Sequence, residues 1–370
     1  MNKINVAILG VGNCASSLIQ GVFYYKDQKT LDEIPGLMNP VLGGYKISDI
    51  NFVCGIDINE TKVGKDLSEA IFSEPNCSTQ FCSVPYLDAP VYRGMTLDGL
   101  GEHLKQKIKK SDRTTDDIVQ ILKQKKVDVL INYLPVGSEQ ATRWYMANAI
   151  EAGVGVINCI PVFIASDRAY WSDQFTHAGL PIIGDDVKSQ VGATIVHRVL
   201  TRLFKERGIE LIETSQLNVG GNMDFFNMLD QDRLVSKKIS KTGSVQSQLD
   251  KPLDQYHIHI GPSDYVEFLQ DQKWCYIHMT AKAFGGVTTK LELKLEVEDS
   301  PNSAGVVIDA IRCIKIALDR KIGGPLLGPS SYFMKTPPVQ YTDDIARTKT
   351  IEFIDNDNDR KKKIIEIMIF

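Results

Sequence analysis

Residues Ile4–Leu9 form a short run, apolar but for Asn5, that stops at Gly10-Val11-Gly12-Asn13-Cys14-Ala15. This junction restricts the fold more than any other stretch of the chain. A short continuous apolar run suits a central strand of a parallel sheet, buried on both faces. The G-x-G-x-x-A pattern that follows opens a helical stretch, Ala15–Tyr25, and matches the turn that leads a strand into a helix around a dinucleotide. Gly10 permits the tight turn, Gly12 lets the backbone approach a pyrophosphate, and Ala15 keeps helix and strand close. The free N–H groups of the helix start, from Asn13 and Cys14 onward, then face the anion.

Further strands are expected at Phe52–Ile56, Val127–Asn132, Val154–Asn158 and Pro181–Gly184, with helices at Asp116–Gln124 and Ser138–Glu151 between them. Strands alternating with helices mean βαβ units and a parallel sheet, a Rossmann-type domain. Asp57 ends the second strand, where a carboxylate accepts bonds from ribose hydroxyls and repels a 2′-phosphate, which favours NAD over NADP. It stands about twice as far from the glycines as the ~20 residues of the usual pattern, so Tyr24–Ser48 reads as an insertion. The loop Asn132-Tyr133-Leu134-Pro135-Val136-Gly137 follows another buried strand; it is either a Pro/Gly connector without a ligand or, as such loops line the cofactor crevice, a cofactor contact through Asn132 and Pro135.

The pattern changes after about Ile209. Strands are expected at Ile209–Leu217, Tyr256–Ile260 and Trp274–Met279, and Thr289–Val297 alternates strictly between apolar and charged residues. That alternation marks a half-exposed antiparallel strand. Ser303–Leu318 returns to a helical period and is expected to pack back onto the first sheet. The reading is an α/β protein: a Rossmann-type parallel sheet over residues 1–215 and 305–370, with an inserted α+β domain over 216–304 for catalysis and oligomerisation. The tail Asn356–Phe370 is charged and then apolar, and has no assigned place.

Bulk properties exclude several classes. Net charge is −4, which argues against a dedicated nucleic-acid binder. The apolar stretch at the start is too short for a secretory signal, and no run approaches the ~20 residues of a membrane span. Seven scattered cysteines without a CxxC pair point to a reducing compartment and a cytoplasmic protein.

Three polar segments remain. Gly184-Asp185-Asp186-Val187-Lys188-Ser189 precedes a helical pattern; its acids serve either as helix caps or as ligands to a cation or substrate, and Ser189–Thr194 offers N–H groups at a helix start. Asn218-Val219-Gly220-Gly221-Asn222-Met223-Asp224 is either a polar turn or a close approach to a ligand. In Ser236-Lys237-Lys238-Ile239-Ser240-Lys241, Lys237 and Lys241 share a helix face; the pair is either a solvated basic face or, since like charges so placed repel, a site for a phosphate or a developing enolate.

These blocks, together with Asp299-Ser300-Pro301-Asn302-Ser303-Ala304 and Ser331-Tyr332-Phe333-Met334-Lys335, occur in an order that resembles the myo-inositol-1-phosphate synthase family in its shorter form. The resemblance runs from Ile4 to about Phe353. It implies NAD-dependent conversion of D-glucose 6-phosphate to 1L-myo-inositol 1-phosphate, by oxidation at C5, enolisation, aldol closure and re-reduction. It implies that Lys237 assists at C5, that Lys273 and Lys335 stabilise oxyanions, and that Lys241 binds phosphate beside Ser189. Asp299 and Asp271 would orient the lysines, while Asp186, Asn218, Asn222 and Asp224 would hold the nicotinamide end, substrate hydroxyls or a cation. It further implies a homotetramer, and ammonium or a divalent cation as a further requirement. Met223 stands where longer members carry a second Asn, and neither His259 nor His278 lies in a metal-ligand motif. An NAD-dependent dehydrogenase with net oxidation and a non-catalytic cofactor sensor are the rival readings of the same fold.

Overall fold

A computed structural model describes residues 3–26 and 34–355. The tail segment Asn356–Phe370 and part of the Tyr24–Ser48 insertion lie outside the described residues. The strands are β1 (Ile4–Leu9), β2 (Val41–Leu42), β3 (Tyr45–Lys46), β4 (Ile50–Asp57), β5 (Val91–Arg93), β6 (Val129–Asn132), β7 (Gly155–Asn158), β8 (Pro181–Gly184), β9 (Glu210–Gly220), β10 (Ile258–Tyr265), β11 (Gln272–Lys282), β12 (Thr288–Glu298) and β13 (Gly324–Pro325). Seven of them form one sheet in the order β13-β8-β7-β6-β1-β4-β5. Every pairing in it is parallel.

Period-two alternation explains why β1 is apolar on both faces from Val6 to Leu9. Val6 and Ile8 enter one core with Leu18 and Ile19 of helix Asn13–Tyr25 and with Val307 and Ile311 of helix Asp299–Asp319. Ala7 and Leu9 enter a second core, with Leu122 and Tyr145 of helices Ile118–Gln124 and Glu139–Ala152. The sheet is thus buried on both faces, as parallel sheets are. The helix over 299–319 packs back on the first sheet as expected, and begins four residues earlier than the apolar period alone indicates. Gly153 closes helix Glu139–Ala152 in the left-handed region at φ 77°, the C-cap its position suggested.

Between β8 and that returning helix lies a second sheet, in the order β10-β9-β11-β12. β12 pairs antiparallel with β11 and keeps its alternation, with charged residues outward and Leu291, Leu293 and Leu295 half-buried. β10 runs parallel to β9, so the inserted sheet is mixed. Helix Ala193–Glu206 covers its inner face through Ala193 and Phe204.

Candidate active site

The ends of β1, β4, β6 and β8 open into a cleft, closed on its far side by residues from the inserted segment. At the end of β1, Gly10 adopts φ +86°, and a Cβ there would stand 2.6 Å from the Tyr133 carbonyl oxygen. Gly12 is different: a Cβ would meet nothing within 4 Å. The first glycine is required by the fold, while the second keeps open a cradle at the start of helix Asn13–Tyr25. Asp57 closes the cradle from β4. Its Oδ2 accepts from Val11 N–H at 2.7 Å, and its Oδ1 accepts from the N–H groups of Ile58 and Asn59 at 2.7 and 2.9 Å. These residues fit a dinucleotide: a bare glycine turn, a helix N-terminus, and a carboxylate placed for a ribose.

At the other end stands a lysine cluster. Asp186 follows β8, is fully buried, and holds φ +63°, a conformation disfavoured for a residue with a side chain. Its Oδ1 accepts from Lys335 Nζ at 2.9 Å and from Lys237 Nζ at 3.3 Å, while its Oδ2 accepts from Ser240 Oγ at 2.6 Å. Burial opposes ionisation of Asp186, but the two ammoniums and the Ser240 hydroxyl outweigh it and hold the carboxyl far below its usual range. Burial likewise works against the charge on Lys237, yet Asp186, Asp224 and Asp299 keep it firmly protonated. Lys335 has less support. Burial and the neighbouring lysines bring it down to about 8, against the pull of Asp186. Lys273 Nζ donates to Asp299 Oδ1 at 3.1 Å.

Lys241 lies one turn after Lys237 on helix Val235–Gln246 and faces the same cleft, the shared face its spacing requires. It is 3% exposed, and among the described residues nothing accepts a hydrogen bond from its amine. Burial first, then Lys273, Lys237 and Lys335, push it well below the ordinary lysine range. A buried amine without an acceptor, ringed by cations, is a place for an anion.

The remaining candidates divide. Pro135, Ser189, Asn222, Asp224 and Asn13 line the cleft with the lysines, and so does Cys14, whose thiol burial pushes up to about 12. Ala15 sits in the core beneath the loop. Asn132 is buried behind the wall, its amide donating to Asn158 Oδ1 at 2.9 Å and its Oδ1 accepting from Leu134 N–H. Asn218 lies inside the second sheet, where its amide donates to the Gly261 carbonyl at 2.7 Å. Asp271 touches no lysine: its Oδ1 accepts from Ser300 Oγ at 2.8 Å, Asn222 Nδ2 at 3.1 Å and Asn13 Nδ2 at 3.4 Å. Burial and the nearby Asp299 raise it to about 7. The N–H groups of Gln190 and Val191 are already taken by Asn302. Lys62 and Asn76 line the cleft without having been singled out in the sequence. Among the described residues, no group of three or more His, Cys, Asp and Glu could hold a metal ion. No helix there is long and apolar enough to cross a membrane.

Fold and cleft together define a Rossmann-type α/β protein whose inserted segment brings Lys237, Lys241 and Lys273 to a cleft that Lys335 enters from the returning C-terminal part. A family model described as myo-inositol-1-phosphate synthase matches residues 192–300. An inositol-3-phosphate synthase of Mycobacterium tuberculosis is 54% identical over 352 residues, covering 95% of this chain and 96% of the relative. An inositol-3-phosphate synthase of Corynebacterium glutamicum is 54% identical over 358 residues, covering 95% and 98%. A solved myo-inositol-1-phosphate synthase-related protein from Thermotoga maritima superposes with a TM-score of 0.77 at 26% identity, covering 94% of this chain and 97% of that one. The fold is shared with inositol-3-phosphate synthase from Caenorhabditis elegans, at a TM-score of 0.75 and 14% identity over 95% and 85% of the two chains. The chain belongs to the myo-inositol-1-phosphate synthase family.

Proposed function

We propose that this chain is an NAD-dependent isomerase that converts D-glucose 6-phosphate into 1L-myo-inositol 1-phosphate. The observation that carries the reading is the placement of Lys237, Lys241, Lys273 and Lys335 in one cleft with the Gly10–Ala15 turn. Its 54% identity to inositol-3-phosphate synthases supports the same reaction. An ordinary dehydrogenase needs one acid–base group at the carbon it oxidises; a cyclase must manage charge at several atoms of the same sugar.

Bound NAD supplies reversible oxidation of the C5 alcohol to a ketone. The Gly10–Ala15 turn and Asp57 hold its dinucleotide, with Pro135 beside it. Lys237, kept charged by Asp186, stabilises the C5 alkoxide as it forms and as it is restored. The 5-ketone acidifies C6, and Lys273 and Lys335 stabilise the enolate oxygen and then the C1 oxyanion that appears when C6 closes on C1. Lys335, brought down to about 8, exchanges its proton near neutral pH with little cost. Lys241 and Ser189 bind the phosphate. Asn222 and Asp224 hold sugar hydroxyls, or ammonium or a divalent cation. Atoms balance without external oxidant, because the hydrogen removed from C5 returns to it.

Residues 1–215 and 305–370 serve as the NAD-binding domain, and 216–304 as the catalytic and oligomerisation domain of a cytoplasmic homotetramer. The outer face of the second sheet, with Leu217 and Tyr276 exposed, supplies a surface for that assembly. The product feeds inositol biosynthesis, toward phospholipids, free inositol or a compatible solute. Phosphorus NMR of the protein with glucose 6-phosphate and NAD, followed together with absorbance at 340 nm, tests the activity. Inositol phosphate without lasting NADH is the expected result; steady accumulation of NADH would mean a simple dehydrogenase instead.

A further inference from the structure

At the end of the cleft away from the four lysines lies a fifth, Lys62, buried on the turn after β4. Its Nζ donates to the Val11 carbonyl at 2.7 Å and to Asn76 Oδ1 at 2.8 Å. Asp57 Oδ2 accepts from the N–H of the same Val11 at 2.7 Å. An acid and an amine therefore clamp the two sides of one residue of the glycine turn. Burial works against the charge on Lys62, and Asp57 works for it.

The hydrogen-bond inventory shows what each side chain has left. A carboxylate offers about four acceptor positions. Asp57 spends two on Oδ1 and one on Oδ2, which leaves one on Oδ2. An ammonium has three donors, and Lys62 spends two. The two side chains are not bonded to each other, and both line the cleft. A free acceptor and a free donor, fixed by the two backbone groups of one residue, Val11, match a vicinal diol: one hydroxyl donates and the other accepts.

We propose that Asp57 and Lys62 together grip the adenosine ribose of the dinucleotide, Asp57 accepting from one of its vicinal hydroxyls and Lys62 donating to the other. This rests on the reading of the cleft as an NAD site. Lys62 then has two tasks, anchoring the glycine turn and recognising the sugar.

Equilibrium titration, by calorimetry and without substrate, separates those tasks. The probes are NAD and its analogues lacking the adenosine 2′-hydroxyl or the 3′-hydroxyl. In the unaltered protein each deletion is expected to weaken binding roughly tenfold, since each removes one charge-assisted hydrogen bond. A penalty for only one hydroxyl would overturn the proposal, and this result needs no variant to fold. With Lys62→Met, NAD is expected to weaken roughly tenfold while one of the two analogues binds as tightly as NAD. Equal weakening of NAD and both analogues would reduce Lys62 to a loop anchor and overturn the assignment. Failure of the unaltered protein to bind NAD at all would instead overturn the cofactor reading itself.

Discussion

Lys335 donates to Asp186 Oδ1 at 2.9 Å, across 149 residues of chain, on an oxygen that Lys237 also reaches at 3.3 Å. One buried carboxylate at the end of β8 thus ties the inserted segment to the returning C-terminal part and fixes two ammoniums of the cleft. Asp186→Asn removes the countercharge from both. Unfolding in urea should show a loss of about 3 kcal/mol. The kcat should fall roughly 100-fold or more, since the ammoniums proposed as oxyanion donors lose their placement. Retention of both stability and turnover would show that the shared carboxylate has no part in organising the site.

Lys241 is the opposite case. Its buried amine has no acceptor among the described residues and stands among like charges, so the fold bears a cost for it. Lys241→Met should raise the stability of the ligand-free protein by about 1 kcal/mol, in keeping with the usual conflict between stability and activity. It should raise KM for glucose 6-phosphate roughly 100-fold, as the proposed ion pair to phosphate is lost. Denaturant midpoints and steady-state kinetics on the same preparation check both signs.

The two glycines of the turn should separate folding from binding. At Gly10, with φ +86° and the Tyr133 carbonyl 2.6 Å from where a Cβ would lie, alanine should cost about 2 kcal/mol or more. At Gly12 the fold has room, so Gly12→Val should leave the melting temperature within a few degrees while NAD affinity falls roughly 100-fold, its side chain filling the cradle. Thermal unfolding alongside NAD titration distinguishes the two.

Asp271 links stability to pH. Its folded-state pKa, about 7, lies above the 3.8 of a free side chain, because burial and Asp299 disfavour the anion. Between those values the native state binds the extra proton, so this group makes stability fall as pH rises, by up to about 1.4 kcal/mol per pH unit. Its contribution is fully present below pH 4 and gone above pH 7. Asp271→Asn should flatten that part of the urea-derived stability curve between pH 5 and 7. An unchanged slope would place the titration elsewhere.

Much of this was legible from local pattern. The β1–turn–helix junction is contiguous in sequence, and the Lys237–Lys241 face follows from helical spacing, so both were readable. What was not readable depends on distant partners. The meeting of Lys335 with Asp186 requires the chain to return to β8, and the φ of Asp186 leaves no mark in its neighbours. Lys62 carries no motif, and its role arises only because the turn after β4 folds beneath Val11. Asn218 and Asp271 show the reverse error. Asn218 stands in a polar motif and the family resemblance points to Asp271, yet the first bonds into the second sheet and the second holds Asn13, Asn222 and Ser300 rather than a lysine. The parallel pairing of β10 with β9 was hidden for the same reason, since alternation reports a strand's exposed face and not its direction.

The most direct test of redox-neutral cyclisation follows a single hydrogen. D-Glucose 6-phosphate carrying deuterium at C5 is converted with unlabelled NAD in large excess, and the inositol phosphate is analysed by mass spectrometry. A cofactor that keeps the hydrogen between oxidation and re-reduction returns it to the same carbon, so the account requires product that retains the deuterium. Product without deuterium, with label accumulating in the free cofactor, would contradict it.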